Sequence, residues 1–165
     1  MKEADQPAVA AGTLARGHAS KNHGDLAARW GERIFSQGFT AVPNVLLDGM
    51  GALDLTPTDL TVLTHLLKFW WTADEMPFPS KRRLAQDIGC GEKTIQKTIA
   101  RLEKRGAVKR IMRKRASDRN ESNIYNLWPL LDLLEAHLAQ ERERRLREEA
   151  GRKAAQPVAR AAAHA

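Results

Sequence analysis

Side chains that bind phosphate and read base edges recur on one face of a predicted helix in the middle of the chain. The outward-facing residues of this helix are Lys93, Thr94, Gln96, Lys97, Arg101 and Lys104. Lysine and arginine donate to phosphate oxygens, and glutamine or lysine near a helix start can reach adenine or guanine edges in the major groove. Further candidate contacts precede this helix at Ser80, Lys81, Arg82 and Gly91. The pattern predicts a surface for double-stranded DNA.

The positive charge of the chain is concentrated around these residues. The 165 residues carry a formal net charge of +7. The segment from Ser80 to Arg119 alone carries +10, so the rest of the chain sums to −3. An ordinary solvated face does not require such segregation, whereas binding to a polyanion favours it. Nucleic acid is therefore the expected partner, and an anionic membrane surface is the competing one.

Two short helices joined by a tight turn are predicted to hold these side chains. Ser80 is a good N-cap for the first, and Gly89 supplies the left-handed conformation that a helix C-terminus often needs. The buried stripes are expected at Leu84, Ala85 and Ile88 and at Ile95, Ile99 and Leu102. Small Ala85 lets the helices cross closely, Ile95 fills the angle between them, and Gly106 ends the second helix. This spacing is typical of a helix-turn-helix.

Elements on both sides complete a domain. Thr56, Pro57 and Asp59 predict a helix start, and this mostly buried helix is expected to run to about Trp71. Two short strands, within residues 108–115 and 123–127, predict a wing. Its basic tip is expected at Arg113, Lys114, Arg115 and Arg119, where it can follow the phosphate backbone or enter the adjacent minor groove. A last helix is expected to follow a cap at Asn126.

The chain is predicted to divide into three parts. Residues 1–24 have the composition of a disordered arm, residues 25–138 form the domain, and residues 139–165 form a charged helical extension with an Ala-rich tail. Near the start of the domain, Leu26, Trp30 and Ile34 predict a short helix that Gly38 interrupts. Residues 39–47 are expected to be an extended lead-in.

Several protein classes are not supported by the sequence. The single cysteine, Cys90, excludes an intrachain disulfide and a multi-cysteine zinc site. No phosphate-binding glycine loop, zinc-ligand set or paired nucleophile and base is visible. We therefore predict no enzyme, no catalytic residue, no metal, no cofactor and no small-molecule effector. Without an apolar run of about 20 residues or a signal-peptide pattern, we expect a cytoplasmic, nucleoid-associated protein.

Three segments, FWWTADEMPFPSKRRLAQDIG, TIQKTIARLEKRG and SNIYNL, together resemble helix-turn-helix proteins of plasmids and phages. That family is related to winged-helix domains of replication initiators and replisome organisers. The resemblance covers roughly residues 30–134 and implies a mainly helical α+β fold, a winged helix-turn-helix with a C-terminal helix. It implies that Lys93, Thr94, Gln96 and Lys97 face DNA and that Arg113, Lys114 and Arg115 lie on the wing. Gly91 departs from the family, where a Ser or Thr commonly precedes the second helix.

These observations predict sequence-preferring binding to double-stranded DNA. The first interpretation is a transcriptional regulator of a mobile element. The alternative is a plasmid or phage replication-initiation or partition protein that binds an origin or a repeat. A further alternative, a winged helix that binds only proteins, predicts an acidic or apolar face on the second helix, which this sequence lacks.

A leucine stripe on the last helix suggests a homodimer. Leu127, Leu131, Leu134 and Leu138 follow a four-three-four spacing, which is typical of a short coiled-coil seam. A dimer would place two helices on half-sites about one helical turn apart. The competing interpretation is that the same stripe docks on the first helix of its own chain.

Overall fold

A computed structural model describes residues 26–112 and 123–162, with side chains as far as residue 153. The predicted arm and the predicted wing tip therefore lie outside the described residues; the wing-tip residues are Arg113, Lys114, Arg115 and Arg119. The chain divides into two compact units, one ending at Phe39 and the other beginning at Thr40.

In the first unit, a helical segment over residues 26–30 is followed by helix α1, Glu32–Phe35. The two are separated at Gly31, which has a φ of 79°. The prediction of one helix running to Gly38 is therefore wrong, because a left-handed glycine already ends the first segment. The ring of Phe39 packs against Trp30 and Phe35 with centroid distances of 6.3 and 5.3 Å.

The second unit contains five helices and a two-stranded sheet among its described residues. Their bounds are α2 Asn44–Asp48, α3 Pro57–Lys68, α4 Lys81–Ile88, α5 Glu92–Lys104, β1 Lys109–Ile111, β2 Ile124–Asn126 and α6 Trp128–Ala162. The strands are antiparallel, with Arg110 opposite Tyr125. The predicted mainly helical α+β fold with a two-stranded wing is confirmed. The predicted extended lead-in is wrong in part, because its last residues belong to α2.

Helix α3 begins with the signals that the sequence predicts. The Thr56 side chain accepts a hydrogen bond from the Asp59 backbone N–H at 3.2 Å, and the Asp59 carboxylate accepts one from the Thr56 N–H at 2.8 Å. This reciprocal capping box, with Pro57 in the first turn, fixes the helix start. The helix ends at Lys68, so the expected run to Trp71 is too long. Trp71 is 80% exposed and does not extend the buried stripe.

The helix-turn-helix forms as predicted. Ser80 caps α4 by accepting the Arg83 N–H at 3.1 Å, and Gly89 ends the helix with a φ of 76°. Ala85 and Ile95 are both buried where α4 and α5 pack. Gly106, with a φ of 70°, follows α5 and turns the chain towards β1.

A single apolar cluster holds α2 to α6 together. Its buried residues are Leu46, Leu55, Val62, Leu63, Leu66, Leu84, Ala85, Ile95, Ile99, Leu102, Ala107, Val108, Tyr125, Leu127, Leu130 and Leu134. The first turn of α6 is capped as predicted, since the Asn126 side-chain oxygen accepts the Trp128 N–H at 2.9 Å. Both helices of the helix-turn-helix and the start of α6 thus share one core, which fixes the exposed face of α5 relative to the wing strands.

Candidate nucleic-acid interface

The exposed face of α5 is a strip of basic, polar and small side chains that follows one acid, Glu92, at the helix start. Its members are Lys93, Thr94, Gln96, Lys97, Ala100 and Lys104, all of which are exposed. Lys93, Lys97, Ala100 and Lys104 follow steps of four, three and four residues, which places them on one side of a helix. The opposite side is anchored, because Ile95, Ile99 and Leu102 are almost completely buried. Ala100 is not among the contacts predicted from the sequence, although it lies between Lys97 and Lys104 in the same periodicity.

The lysines of this strip are not neutralised by the described part of the protein. Within the described residues, Lys93, Lys97 and Lys104 form no ion pair. An exposed ammonium group that forms no ion pair can bind a phosphate without first breaking a contact. The strip is therefore an electrostatically positive surface on a rigid helix.

Arg101 has different surroundings from these lysines. Its guanidinium donates from Nε to Asp59 Oδ1 at 2.9 Å and from Nη2 to the same oxygen at 2.6 Å. Nη2 also donates to the Thr56 hydroxyl oxygen at 3.0 Å. Asp59 is fully buried. The prediction that Arg101 faces DNA is therefore revised, because its side chain joins α5 to the first turn of α3.

This contact also determines the ionisation of Asp59. Burial alone would raise the pKa of the carboxyl, but hydrogen bonds from Arg101 and Thr56 outweigh burial, so the pKa lies below its ordinary value of 3.8. The carboxylate is therefore charged at neutral pH and holds the guanidinium in place.

Two further arginines of this region are also held by acids. Arg105 forms an ion pair with Asp54 and donates to the Leu53 carbonyl at 3.3 Å. On β1, the Arg110 guanidinium lies 3.1 Å from a Glu103 carboxylate oxygen. The cations of the α5 region thus separate into arginines that hold the fold together and lysines that face outwards.

The start of α4 places a second group of predicted contacts at the surface. Ser80 and Arg82 are exposed and Lys81 is half-buried. Gly91, which precedes α5, is exposed and has no side chain to cap the helix. Arg83, in contrast to these residues, forms an ion pair within α4: its Nε lies 2.9 Å from Asp87 Oδ1. This contact is the main reason that the pKa of Asp87 is lowered.

The wing strands are fixed to the domain. The Tyr125 backbone N–H donates to the Pro77 carbonyl at 2.8 Å, which attaches β2 to the connection before α4. The Tyr125 ring is buried, and this burial raises the pKa of its hydroxyl. On β1, Lys109 is exposed. The two strands therefore form a base that is attached to the rest of the domain.

The predicted dimer seam is not a single exposed stripe. Leu127 is fully buried and Leu134 is 6% exposed, both inside the core of their own chain. Leu131 is half-buried, and Leu138 is 52% exposed. The seam prediction is therefore wrong for Leu127 and Leu134, because a side chain buried in its own core has no surface left for a partner.

Other kinds of site find no support in the described residues. There, no three His, Cys, Asp or Glu side chains are grouped so that they could hold a metal ion. Cys90 is a half-buried free thiol. None of the helices in this part of the chain combines the length and hydropathy of a bilayer span.

A family model and solved structures match parts of the chain. Residues 53–108 match the model of a family described as a helix-turn-helix domain. The chain is similar to the N-terminal domain of the DnaD protein from Geobacillus kaustophilus, with 24% identity, a TM-score of 0.52, and coverage of 73% of this chain and 94% of that one. A structure described as a transcriptional regulator is 26% identical, with a TM-score of 0.37, over 74% of this chain and 80% of that one. No curated protein matches the chain in sequence. The matched residues contain α3, α4 and α5, so the helix-turn-helix that the sequence predicts is present.

Proposed function

We propose that this protein binds double-stranded DNA with sequence preference, with α5 as the recognition helix in the major groove. The observation that carries the proposal is the outward strip of α5, whose lysines have no acidic partner among the described residues. A helix of this width fits the major groove of B-DNA, and lysine and glutamine are side chains that donate to phosphates and base edges there. The competing protein-interaction winged helix predicts an acidic or apolar strip, and the exposed residues of α5 do not favour it.

The proposed contacts follow the geometry of the helix. Lys93, Lys97 and Lys104 are assigned to phosphates, and Gln96 to a base edge. Ser80, Lys81, Arg82, Thr94 and Gly91 lie at the beginnings of α4 and α5, where backbone N–H groups and short side chains can reach the phosphate backbone. The basic wing tip predicted from the sequence is proposed to follow an adjacent backbone. Arg101 is left out of this surface because Asp59 holds it.

Phosphate contact can be tested through the dependence of affinity on salt. Replacing Lys97 by Ala should weaken binding to specific and random duplexes alike and reduce the slope of log K against log salt by about 0.9. Fluorescence anisotropy at several salt concentrations measures both quantities. Arg147→Ala is the matched control, because it removes one exposed charge from the outer part of α6 and should leave the slope unchanged. An unaltered slope for Lys97→Ala would remove this residue from the phosphate surface.

A residue that reads a base should affect binding to the preferred site more than binding to random DNA. Replacing Gln96 by Ala should relax the preference at one base pair, with a cost of about 1–3 kcal/mol on the preferred site and little loss on random DNA. Competition binding with a library of single-base variants of the preferred site measures this. Equal losses on the preferred site and on random duplexes would show that Gln96 does not read a base.

We propose transcriptional regulation of a mobile element as the first role and replication initiation or partition at an origin or repeat as the second. Both roles use the same surface, so they differ in where the protein binds rather than in how. Mapping the bound fragments across the host genome separates them. Occupied promoters would favour the regulator, and clustered repeats at one locus would favour replication or partition.

A further inference from the structure

A groove with a volume of about 750 Å³ runs between α2 and the outer part of α6. Val45 and Ala52 contribute apolar surface on one side, and Leu138 and Leu146 do so on the α6 side. Leu138 and Leu146 are 52% and 57% exposed. Large aliphatic side chains that are this open, and that face one groove, indicate a surface that another apolar group covers. The DNA-binding surface proposed above does not include it.

The charged residues along the outer part of α6 fall into two groups. Arg144 pairs with Glu141, and Arg147 pairs with Glu143, within the same helix. Arg144 and Glu141 line the groove as a pair. Arg142, Arg145 and Glu149 also line it, and none of these three forms an ion pair with another described residue. The groove therefore combines an apolar floor with unpaired charges of both signs. A polyanion would meet repulsion from Glu149, so this is not a second surface for nucleic acid.

We propose that the groove binds the outer part of α6 from a second copy of this chain, with the two helices antiparallel. Arg142 and Glu149 are seven residues apart, which is nearly two full turns, so they lie on the same side of α6. In an antiparallel pair centred between Arg145 and Leu146, Arg142 of each copy meets Glu149 of the other. Two equivalent ion pairs result, as a two-fold symmetric interface requires.

The same arrangement covers the apolar side chain that lies nearest its centre. Leu146 of each copy comes close to the symmetry axis, where the two leucines contact each other and the aliphatic stems of the neighbouring arginines. A parallel pair would instead place Arg142 against Arg142 and Glu149 against Glu149, which is repulsive. The interface replaces the predicted seam at Leu127 and Leu134 with residues that are open in a single chain.

The test is the solution mass of the full chain without DNA, by sedimentation equilibrium at concentrations from roughly 1 to 100 μM. The expected result is a reversible increase from 18.4 kDa to twice that mass. Arg142→Glu should weaken dimerisation by at least about tenfold, because it places like charges opposite each other twice. Arg142→Glu combined with Glu149→Arg should restore it, because the charges are exchanged but remain complementary. Arg147→Glu, which makes the same charge change outside the groove, is the matched control and should dimerise normally.

Each outcome decides the proposal. A chain that stays at the monomer mass throughout this range contradicts it. A dimer that Arg142→Glu does not weaken, or that the double exchange does not restore, contradicts the proposed pairing. Circular dichroism checks that the variants fold, which is expected because Arg142 and Arg147 are exposed and Glu149 is too. Since no DNA is present, failure here is distinguishable from failure of the proposed DNA binding.

Discussion

Arg101 and Lys97 lie one turn apart on α5, yet their side chains have opposite roles. Lys97 is exposed and has no described ion pair, while Arg101 donates to a fully buried carboxylate on α3. From the sequence alone the two look equivalent, because both belong to a basic run on the same helix. The difference arises from a residue 42 positions earlier, Asp59, and local periodicity contains no information on that contact.

The Asp59 contact gives a prediction for stability. Arg101→Met should lower the free energy of unfolding by about 2–4 kcal/mol, because it leaves a buried carboxylate without its partner. Arg105→Met is the matched control on the same helix and should cost about 1 kcal/mol or less, since its partner Asp54 is 86% exposed. Urea unfolding measures both. The pairing account would be contradicted if the two losses were equal.

The same residue predicts a dependence on pH. The pKa of Asp59 is lower in the folded protein than its ordinary value of 3.8, so its contribution is fully present above that value. The contribution is lost as pH falls through the folded pKa, since the unfolded chain binds the proton more readily. Asp59→Asn should therefore reduce the fall in unfolding free energy between about pH 4 and pH 2. A slope equal to that of the unaltered protein would contradict this reasoning. In Asp59→Asn the unfolding free energy should still fall somewhat with decreasing pH, because the pKa of Asp87 is also lowered.

At the scale of elements, the close packing of α2 on α6 depends on one glycine. A Cβ atom at Gly49 would lie 2.9 Å from two atoms of the His137 ring and 2.7 Å from the Val45 carbonyl oxygen. Gly49 itself has a φ of −85°, which any residue can adopt. The constraint at this position is therefore space, against the α2 backbone and the His137 ring of α6, rather than backbone conformation.

Because space limits the residue at position 49, a larger side chain there should destabilise the fold. Gly49→Ala should lower the free energy of unfolding by about 1–3 kcal/mol, because the added methyl group must displace the α2 backbone and the His137 ring. Gly51→Ala is the control: nothing lies within 4 Å of its added Cβ atom, so its effect should be small. Thermal or urea unfolding compares the two variants. Equal effects would mean that α2 and α6 do not approach as closely as the structure indicates.

Helix ends were predictable where a local signal sets them, and less so elsewhere. Thr56, Ser80, Gly89 and Gly106 each act through a cap or a left-handed turn within a few residues, and each was predicted correctly. The end of α3 was not, because apolar residues continue to Trp71 beyond the helix. Trp70 instead packs edge-on against Trp128, with a centroid distance of 5.6 Å, and this contact depends on α6.

At the scale of the whole molecule, the fold class follows from repeated agreement between short patterns. Capped helices, a turn glycine and two short strands follow each other in the order of a winged helix-turn-helix, so this fold was predictable from the sequence. The sequence predicts less well which cations and leucines are exposed and which are held inside the domain. Leu127 and Leu134 satisfy the spacing of a seam between chains and equally that of a stripe packed in one chain. Only the three-dimensional arrangement, which buries them with Leu63 and Leu66, distinguishes the two.

The separation of paired arginines from unpaired lysines is also a property of the whole domain. Asp54, Asp59 and Glu103 hold the arginines of α5 and β1, so the cations of α5 that form no ion pair within the described residues are its lysines. A cationic face on a helix whose other side is fixed in the core can bind a polyanion without rearranging. We therefore propose that DNA contacts the outward strip of α5.

Backbone amide chemical shifts, measured by nuclear magnetic resonance as duplex DNA is added, test that location most directly. The largest changes should fall on the exposed residues from Lys93 to Lys104 and on the starts of α4 and β1. The groove residues Val45, Ala52 and Leu146 should change little and serve as the internal control. Changes that concentrate on α2 and the outer part of α6, with α5 unaffected, would contradict the account.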